Sequence, residues 1–263
     1  MPDPYIYPGV GRFAPMRVST PVYACGDIHG RDDLLAEFLE WIGDDRRCDE
    51  AVTVVFLGDY VDRGVQSRQV IERLMRGPDR PGETWIPLRG NHDNLFVAAW
   101  YNPESREAGV WAMNGALTTM ASYGAVHGVG FPRLIPEAHI RFLESLHLAV
   151  DDGKRLYVHA GVRPGVSIAR QEEHDLVWIR EPFLEEKHAV DRLVVHGHTI
   201  FRNGPSATRW RLGIDTGAYA TNRLTGLRFD PGSPVPRVWQ SGIGELPAIT
   251  TPWMQTVPPP QAR

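Results

Sequence analysis

The sequence predicts an α/β fold, and three observations carry that reading. Residues 21–25 (PVYAC) and 51–57 (AVTVVFL) are short apolar runs of strand length, and 155–162 (RLYVHAGV) and 192–199 (RLVVHGHT) repeat the pattern later in the chain. Segments with helical spacing separate the first two runs from each other and from a third at Thr84–Leu88. Each run passes into a loop in which glycine stands next to, or one residue from, Asp, Asn or His. Apolar residues at successive positions mark strands covered on both faces, since alternation is needed only where one face meets water.

The elements follow in order. The opening MPDPYIYPGVGRFAPMR has prolines at 2, 4, 8 and 15 and no continuous apolar block, unlike a secretory signal. Leu34, Leu35, Phe38, Leu39 and Ile42 recur at helical spacing after the first strand, and Val70, Ile71, Leu74 and Met75 do so after the second, up to Gly77-Pro78. This βαβαβ start predicts a parallel sheet with ligands outside the carboxyl ends of its strands. Residues 94–124 and 136–148 read mainly as helix and supply an outer layer. From Arg209 onward, WRLGIDTGAY, RLTGLRFD and PVPRVWQS are short strand candidates between Asn, Gly and Pro turns, which predicts an antiparallel meander and a second sheet. Five prolines between Pro247 and Pro260 predict a flexible tail over 247–263 after a single domain at 1–246.

Composition narrows the function. The 263-residue chain is 42% apolar and 23% charged, as globular proteins are. Its 28 Lys and Arg against 32 Asp and Glu give a formal charge of -4, so no broad basic field is present to hold nucleic acid or an anionic membrane. No segment approaches the roughly 18 apolar residues of a membrane span. Two cysteines, Cys25 and Cys48, in a chain too large to need disulfide staples predict a reduced, cytoplasmic protein.

Five short motifs occur in order: Gly26-Asp27-Ile28-His29-Gly30, Gly58-Asp59-Tyr60-Val61-Asp62-Arg63-Gly64, Gly90-Asn91-His92-Asp93, His159-Ala160-Gly161 and Gly197-His198-Thr199. A single Gly-Asp loop is ordinarily a turn or helix cap. Together they place polar side chains at neighbouring strand ends, with glycines allowing tight turns, so that all face one crevice. There Asp27, Asp59 and Asp62 would repel by about 4 kcal/mol per pair at about 4 Å and an effective dielectric of about 20, unless cations neutralise them. Carboxylate, imidazole and amide oxygen suit two divalent ions, manganese first, with iron or zinc also compatible. Such a pair clamps a phosphoryl group and acidifies a water, which is phosphoester hydrolysis.

Taken together, GDIHG, GDYVDRG, GNHD, HAG and GHT resemble the signature set of the PPP family of serine/threonine phosphoprotein phosphatases, in its bacterial and phage branch. The resemblance implies a sandwich of two mixed β-sheets flanked by helices, the calcineurin-like metallophosphoesterase fold. It implies that one ion takes Asp27, His29 and Asp59 and the other takes Asp59, Asn91, His159 and His198. It also implies that Arg63, and Arg180 in the looser run VWIRE, hold phosphate oxygens, while His92, oriented by Asp62, protonates the departing oxygen. The substrate implied is a phosphorylated protein or a small phosphoester. Symmetrical diadenosine tetraphosphate hydrolysis is the alternative, since that related group shares the metal motifs and a similar GIDTGAY…LTGLR ending; the aspartate at Asp62 favours monoesters. A catalytically silent phospho-binding module is the reading from another class, and the filled motif positions speak against it. His196 is expected in the core or behind a ligand, and Thr199-Ile200 after Gly197-His198, where a GHxH ending would place a further His, favours the PPP assignment. Trp111, Asn114 and Tyr123 are expected as core, Asp93 as support for its loop, and Tyr219 as a residue approaching the metals.

Overall fold

The computed structural model of the protein describes residues 13–16, 19–47 and 50–249. In chain order the elements are β1 (Phe13–Pro15), β2 (Val22–Cys25), α1 (Asp32–Asp45), β3 (Val52–Phe56), α2 (Ser67–Arg76), β4 (Glu83–Pro87), α3 (Asn91–Tyr101), α4 (Arg106–Ala112), α5 (Ala116–Ser122) and α6 (Glu137–Glu144). They continue as β5 (Ala149–Asp151), β6 (Arg155–Val158), α7 (Glu173–Trp178), β7 (Leu193–His196), β8 (Ser206–Ala207), β9 (Arg211–Gly213), α8 (Ala218–Thr221), β10 (Thr225–Phe229), β11 (Arg237–Gln240) and β12 (Gly244–Leu246). Two six-stranded mixed sheets result, in the orders β12-β11-β10-β2-β3-β4 and β1-β5-β6-β7-β9-β8.

Why the strands are apolar throughout is now visible. Val22, Ala24, Val55 and Leu57 point between the sheets and meet Val150, Tyr157, Val195 and Leu212. Tyr23, Cys25, Val54 and Phe56 point the other way, under α1 and α2. On the far side, Leu156, Val158 and Val194 pack under Leu176, Val177 and Phe183. Both faces of the central strands are therefore dry, as in a helix-covered sandwich. Helix α1 carries Asp32 and Asp33 at its positive end, and Arg73 of α2 pairs with Asp32 through Nε and Nη2 at 2.6 and 2.7 Å. Helix α2 ends at Gly77, with φ 77°, as the sequence predicts. Met75, expected on its buried face, is instead exposed.

The expected C-terminal meander is divided between the sheets. Strand β9 lies parallel to β7 in the second sheet, whereas β10, β11 and β12 extend the first sheet antiparallel from β2. Turn residues and apolar spacing specify strands but not their partners. The partner of β10 is set by packing: Gly226 lies opposite Cys25, and a Cβ there would come within 2.5 Å of the Phe38 ring, so only glycine lets α1 seat over this strand. The five motif loops accordingly come from two sheets rather than one. Of the segment expected as a tail, Ile249 packs against the inter-sheet core, and residues 250–263 lie outside the described residues, as does Cys48. Among the described residues no helix is long and apolar enough to cross a membrane.

Candidate metal centre

The motif loops lie at the carboxyl ends of β2, β3, β4, β6 and β7, and their polar side chains are buried together. Among the described residues seven non-glycine residues have positive φ, and five of them are here: His29, Asp59, Asp62, Arg63 and His198. The expected division of labour is thus partly reversed. Side chains that carry the chemistry take the left-handed conformations, and such backbone persists only where neighbours over-determine it. Several glycines instead provide room. A Cβ on Gly90 would lie 2.1 Å from Asp59 Oδ1, and one on Gly197 would lie 1.9 Å from Asp27 Oδ1. Asp93 pins the second and third loops together, its carboxylate accepting from the N–H of Asp59, Tyr60 and Gly90 at 3.0, 3.0 and 2.9 Å.

Backbone carbonyls orient three imidazoles. His29 Nδ1 faces Val61 O at 2.8 Å, His159 Nδ1 faces Leu57 O at 2.8 Å, and His198 Nε2 faces Trp178 O at 3.1 Å. A nitrogen facing a carbonyl must donate, so each ring carries its proton there and turns its other nitrogen, an acceptor, into the site. Burial keeps the three rings neutral: it holds the pKa of His29 and His159 below the ordinary range and takes His198 down to about 2. His159 Nε2 and His198 Nδ1 then converge on Asn91 Oδ1 at 3.0 and 2.9 Å. Three acceptors facing one another without a proton form the donor set of a cation.

The carboxylates complete that donor set. Asp59 stands between the rings, with Oδ2 3.5 Å from His29 Nε2 and Oδ1 3.5 Å from His159 Nε2. Its Oδ1 also accepts the N–H of His92 at the start of α3, at 2.9 Å. Two clusters share it: His29, Asp59 and His92, and Asp59, His159 and His198, each with ligand atoms within 4.8 Å of one another. Asp27 receives the N–H of His198 at 3.2 and 3.0 Å. Burial first, then the charges of Asp215 and Asp59, hold its carboxyl well above the usual range. This is the repulsion that neighbouring cations would relieve.

His92 of the first cluster also belongs to a buried dyad. His92 Nδ1 lies 2.6 Å from Asp62 Oδ2, and Asp62 also accepts from Trp111 Nε1 at 2.9 and 3.0 Å and from Thr119 Oγ1 at 2.7 Å. Burial opposes protonation of His92, but the charge of Asp59 and the hydrogen bond and charge of Asp62 outweigh it and raise the pKa. Arg63 spans the entrance, with Nη1 2.9 Å from His29 Nε2 and Nη2 3.0 Å from His92 Nε2, and its guanidinium lies 4.8 Å from the Tyr219 ring. Arg180 is at the opposite side, its Nη2 3.4 Å from His198 O.

The family profile described as calcineurin-like phosphoesterase matches residues 20–202, a span that contains all five loops. The chain is a calcineurin-like phosphoesterase. This family works with divalent metal ions, and the acceptor geometry above fits them. Among curated proteins, the phosphoesterase is 28% identical over 155 residues to the serine/threonine-protein phosphatase SIT4 of Candida albicans, covering 59% of this chain and 43% of that one. The match therefore spans less than half of that relative. Among solved structures, it superposes on a putative diadenosine tetraphosphatase with TM-score 0.62 at 20% identity, over 89% of this chain and 99% of that one. It also superposes on the cold-active protein-tyrosine phosphatase of a psychrophilic Shewanella, with TM-score 0.58 at 14% identity over 87% and 80% of the two chains. A Saccharomyces cerevisiae serine/threonine phosphatase similar to human PP5 gives TM-score 0.53 at 17% identity, over 81% and 73%. At these identities the structural likenesses establish the shared fold.

Other residues of the phosphoesterase separate into core and site. His196 turns from the metal centre into the core between Phe183 and Phe201, and burial lowers its pKa to about 3. Asn114 donates to Val110 O at 2.7 Å, and Tyr123 meets His139 at 2.8 Å, both as structural contacts. Trp111 is buried as expected but also binds Asp62, a link missed in the sequence. So was Asp215, whose Oδ1 accepts from Gly217 N at 2.8 Å behind Asp27. A buried indole needs an acceptor for its N–H, which was the available signal for Trp111. Trp111→Phe keeps the ring packing and removes one donor to a buried carboxylate. It is expected to lower kcat on a phosphopeptide by roughly tenfold, with less effect on p-nitrophenyl phosphate; equal losses on both would reduce Trp111 to packing.

Proposed function

We propose that this phosphoesterase removes phosphate from phosphoserine or phosphothreonine in proteins. The observation that carries the reading is the His92–Asp62 pair at 2.6 Å, held in place by Trp111 and Thr119. A dedicated, protonated acid matters where the leaving group is a poor one, such as a serine or threonine alkoxide. Divalent ions, manganese first and iron or zinc next, would be held by Asp27, His29 and Asp59 and by Asp59, Asn91, His159 and His198; when bound they supply Lewis acidity and a more acidic water.

The chain's own residues set the rest. Arg63 offers two nitrogens across the entrance, the fork that matches two phosphate oxygens, and Arg180 adds a second positive group from the other side. While Arg63 Nη2 donates to His92 Nε2, that nitrogen has no room for a proton of its own. Engagement of Arg63 with phosphate frees Nε2 to carry the proton that the departing oxygen needs, and Asp62 steadies the resulting imidazolium through Nδ1.

Arg63→Ala is expected to raise KM and lower kcat together, with poor rescue by Arg63→Lys, because an ammonium lacks the fork. Full activity in the lysine variant would remove the proposed contact. EDTA is expected to abolish hydrolysis and manganese to restore it; activity in metal-free protein would overturn the mechanism. The substrate class is tested by kcat/KM of manganese-loaded protein for a phosphoserine or phosphothreonine peptide against diadenosine tetraphosphate. A larger value for the dinucleotide would replace the protein-phosphatase reading with the alternative.

A further inference from the structure

The end of the sandwich opposite the metal centre carries a second pocket, with a volume of about 520 Å³. Lys154 and Arg155 line it from the start of β6, Lys187 and Arg192 from the segment before β7, and Arg209 and Trp210 from the approach to β9. His159 and His198 stand at the other ends of β6 and β7. At about 3.3 Å per residue, the pocket is roughly 13–17 Å from them.

Charge and preorganisation distinguish this pocket from ordinary surface. It gathers five cationic side chains and one acidic one, Asp191, in a chain whose formal charge is -4. Arg155 Nε pairs with Asp152 at 3.2 Å and Arg192 Nε with Asp151 at 3.1 Å. Lys154, Lys187 and Arg209 are in no ion pair among the described residues. Lys187 Nζ and Arg209 Cζ lie 4.9 and 5.2 Å from the Trp210 ring centroid, so the indole holds both cationic heads beside the pocket. Arg155 is only 6% exposed, stacks 4.1 Å over Phe229, and leaves Nη1 buried without a hydrogen-bond partner. A buried guanidinium nitrogen without an acceptor is costly, and an entering oxyanion would supply one.

We infer that this pocket binds a compact anion carrying two or more phosphate groups, at a site separate from the metal centre. The volume falls within the about 300–1,000 Å³ of small-molecule sites. Five cationic side chains around one cleft call for a ligand of high charge density, which linked phosphates provide and a single carboxylate does not. Because Trp210 is already engaged by Lys187 and Arg209, the phosphates suffice for recognition, whether they come from a free polyphosphate or from a nucleotide.

The test titrates the full-length protein calorimetrically with methylenediphosphonate, whose P–C–P link resists hydrolysis, and in a parallel arm with α,β-methylene-ADP. Wild type is expected to show a binding step that survives EDTA and weakens as salt screens the charges. In Lys187→Ala/Arg209→Ala that step is expected to weaken at least tenfold. Both side chains are exposed and outside the catalytic machinery, so hydrolysis of p-nitrophenyl phosphate by the metal-loaded variant is expected to stay within twofold of wild type. Binding of both probes, or of either one, through Lys187 and Arg209 supports the site and identifies the source. A single step abolished by EDTA, or an EDTA-resistant step unchanged in the double variant, overturns it.

Discussion

His92→Asn is expected to lower kcat on a phosphoserine peptide by about 10²- to 10⁴-fold, the range for loss of a general acid, with both ions retained. The loss on p-nitrophenyl phosphate should be smaller. A serine alkoxide must be protonated as the ester bond breaks, whereas p-nitrophenolate departs without help. The geometry ties Asp62 to the same step: its Oδ2 is 2.6 Å from His92 Nδ1, and its remaining contacts are to Trp111 and Thr119 rather than to either ion cluster. Asp62→Asn should therefore show the same substrate dependence in milder form, and the double variant should be little worse than His92→Asn alone. Residues that act as one unit give such non-additive losses. The measurement is kcat for both esters in all three variants, with metal content determined for each. Equal losses on the two esters, or additive losses in the double variant, would remove His92 from the role of acid.

Asp59→Asn is expected to bring activity to the level of the metal-free protein and to release both ions. Its carboxylate is the group that both clusters share, lying 3.5 Å from His29 on one side and 3.5 Å from His159 on the other. The substitution keeps one oxygen for the His92 N–H but removes the charge and the second anionic donor. Asn91→Ala provides the contrast, because Asn91 Oδ1 contacts His159 and His198 only on the second side, so it should weaken one ion more than the other. Elemental analysis after dialysis, together with kcat, separates the cases. An Asp59→Asn protein that retains two ions and substantial turnover would mean that the shared position is not where the ions are held.

How much of this was legible in the sequence depends on the range of the interaction. Strands β2, β3, β6 and β7 and helices α1 and α2 follow from local periodicity, and the motif loops follow from short polar runs at strand ends. Trp111 and Asp62 are 49 positions apart, and nothing local in either segment announces the bond between them. The same holds for Asp215, whose effect on Asp27 arises through space. The sheet assignment of β10 turns on packing under Phe38, which turn residues do not encode. The positive φ of His29, Asp59, Asp62, Arg63 and His198 runs against residue preference, and it appears only once Asp93 and the neighbouring loops hold the backbone. The pocket around Trp210 was invisible for a further reason: its cations come from three separated segments, each with too few charges to be noticed alone.

The division of the motif loops between two sheets has a consequence for how the chain reaches its working state. Asp27, His29, Asp59, Asn91 and His92 belong to one sheet, and His159 and His198 to the other, so the acceptor cluster exists only after the two halves have docked. The contacts of Asn91 with His159 and His198 close segments of 68 and 107 residues. Contacts of that span form late and slowly, after the local helices and hairpins. An ion held there would act as a clasp across the seam: it would reward only the assembled sandwich, leave either half alone unaided, and make separation of the sheets and loss of catalysis a single cooperative event.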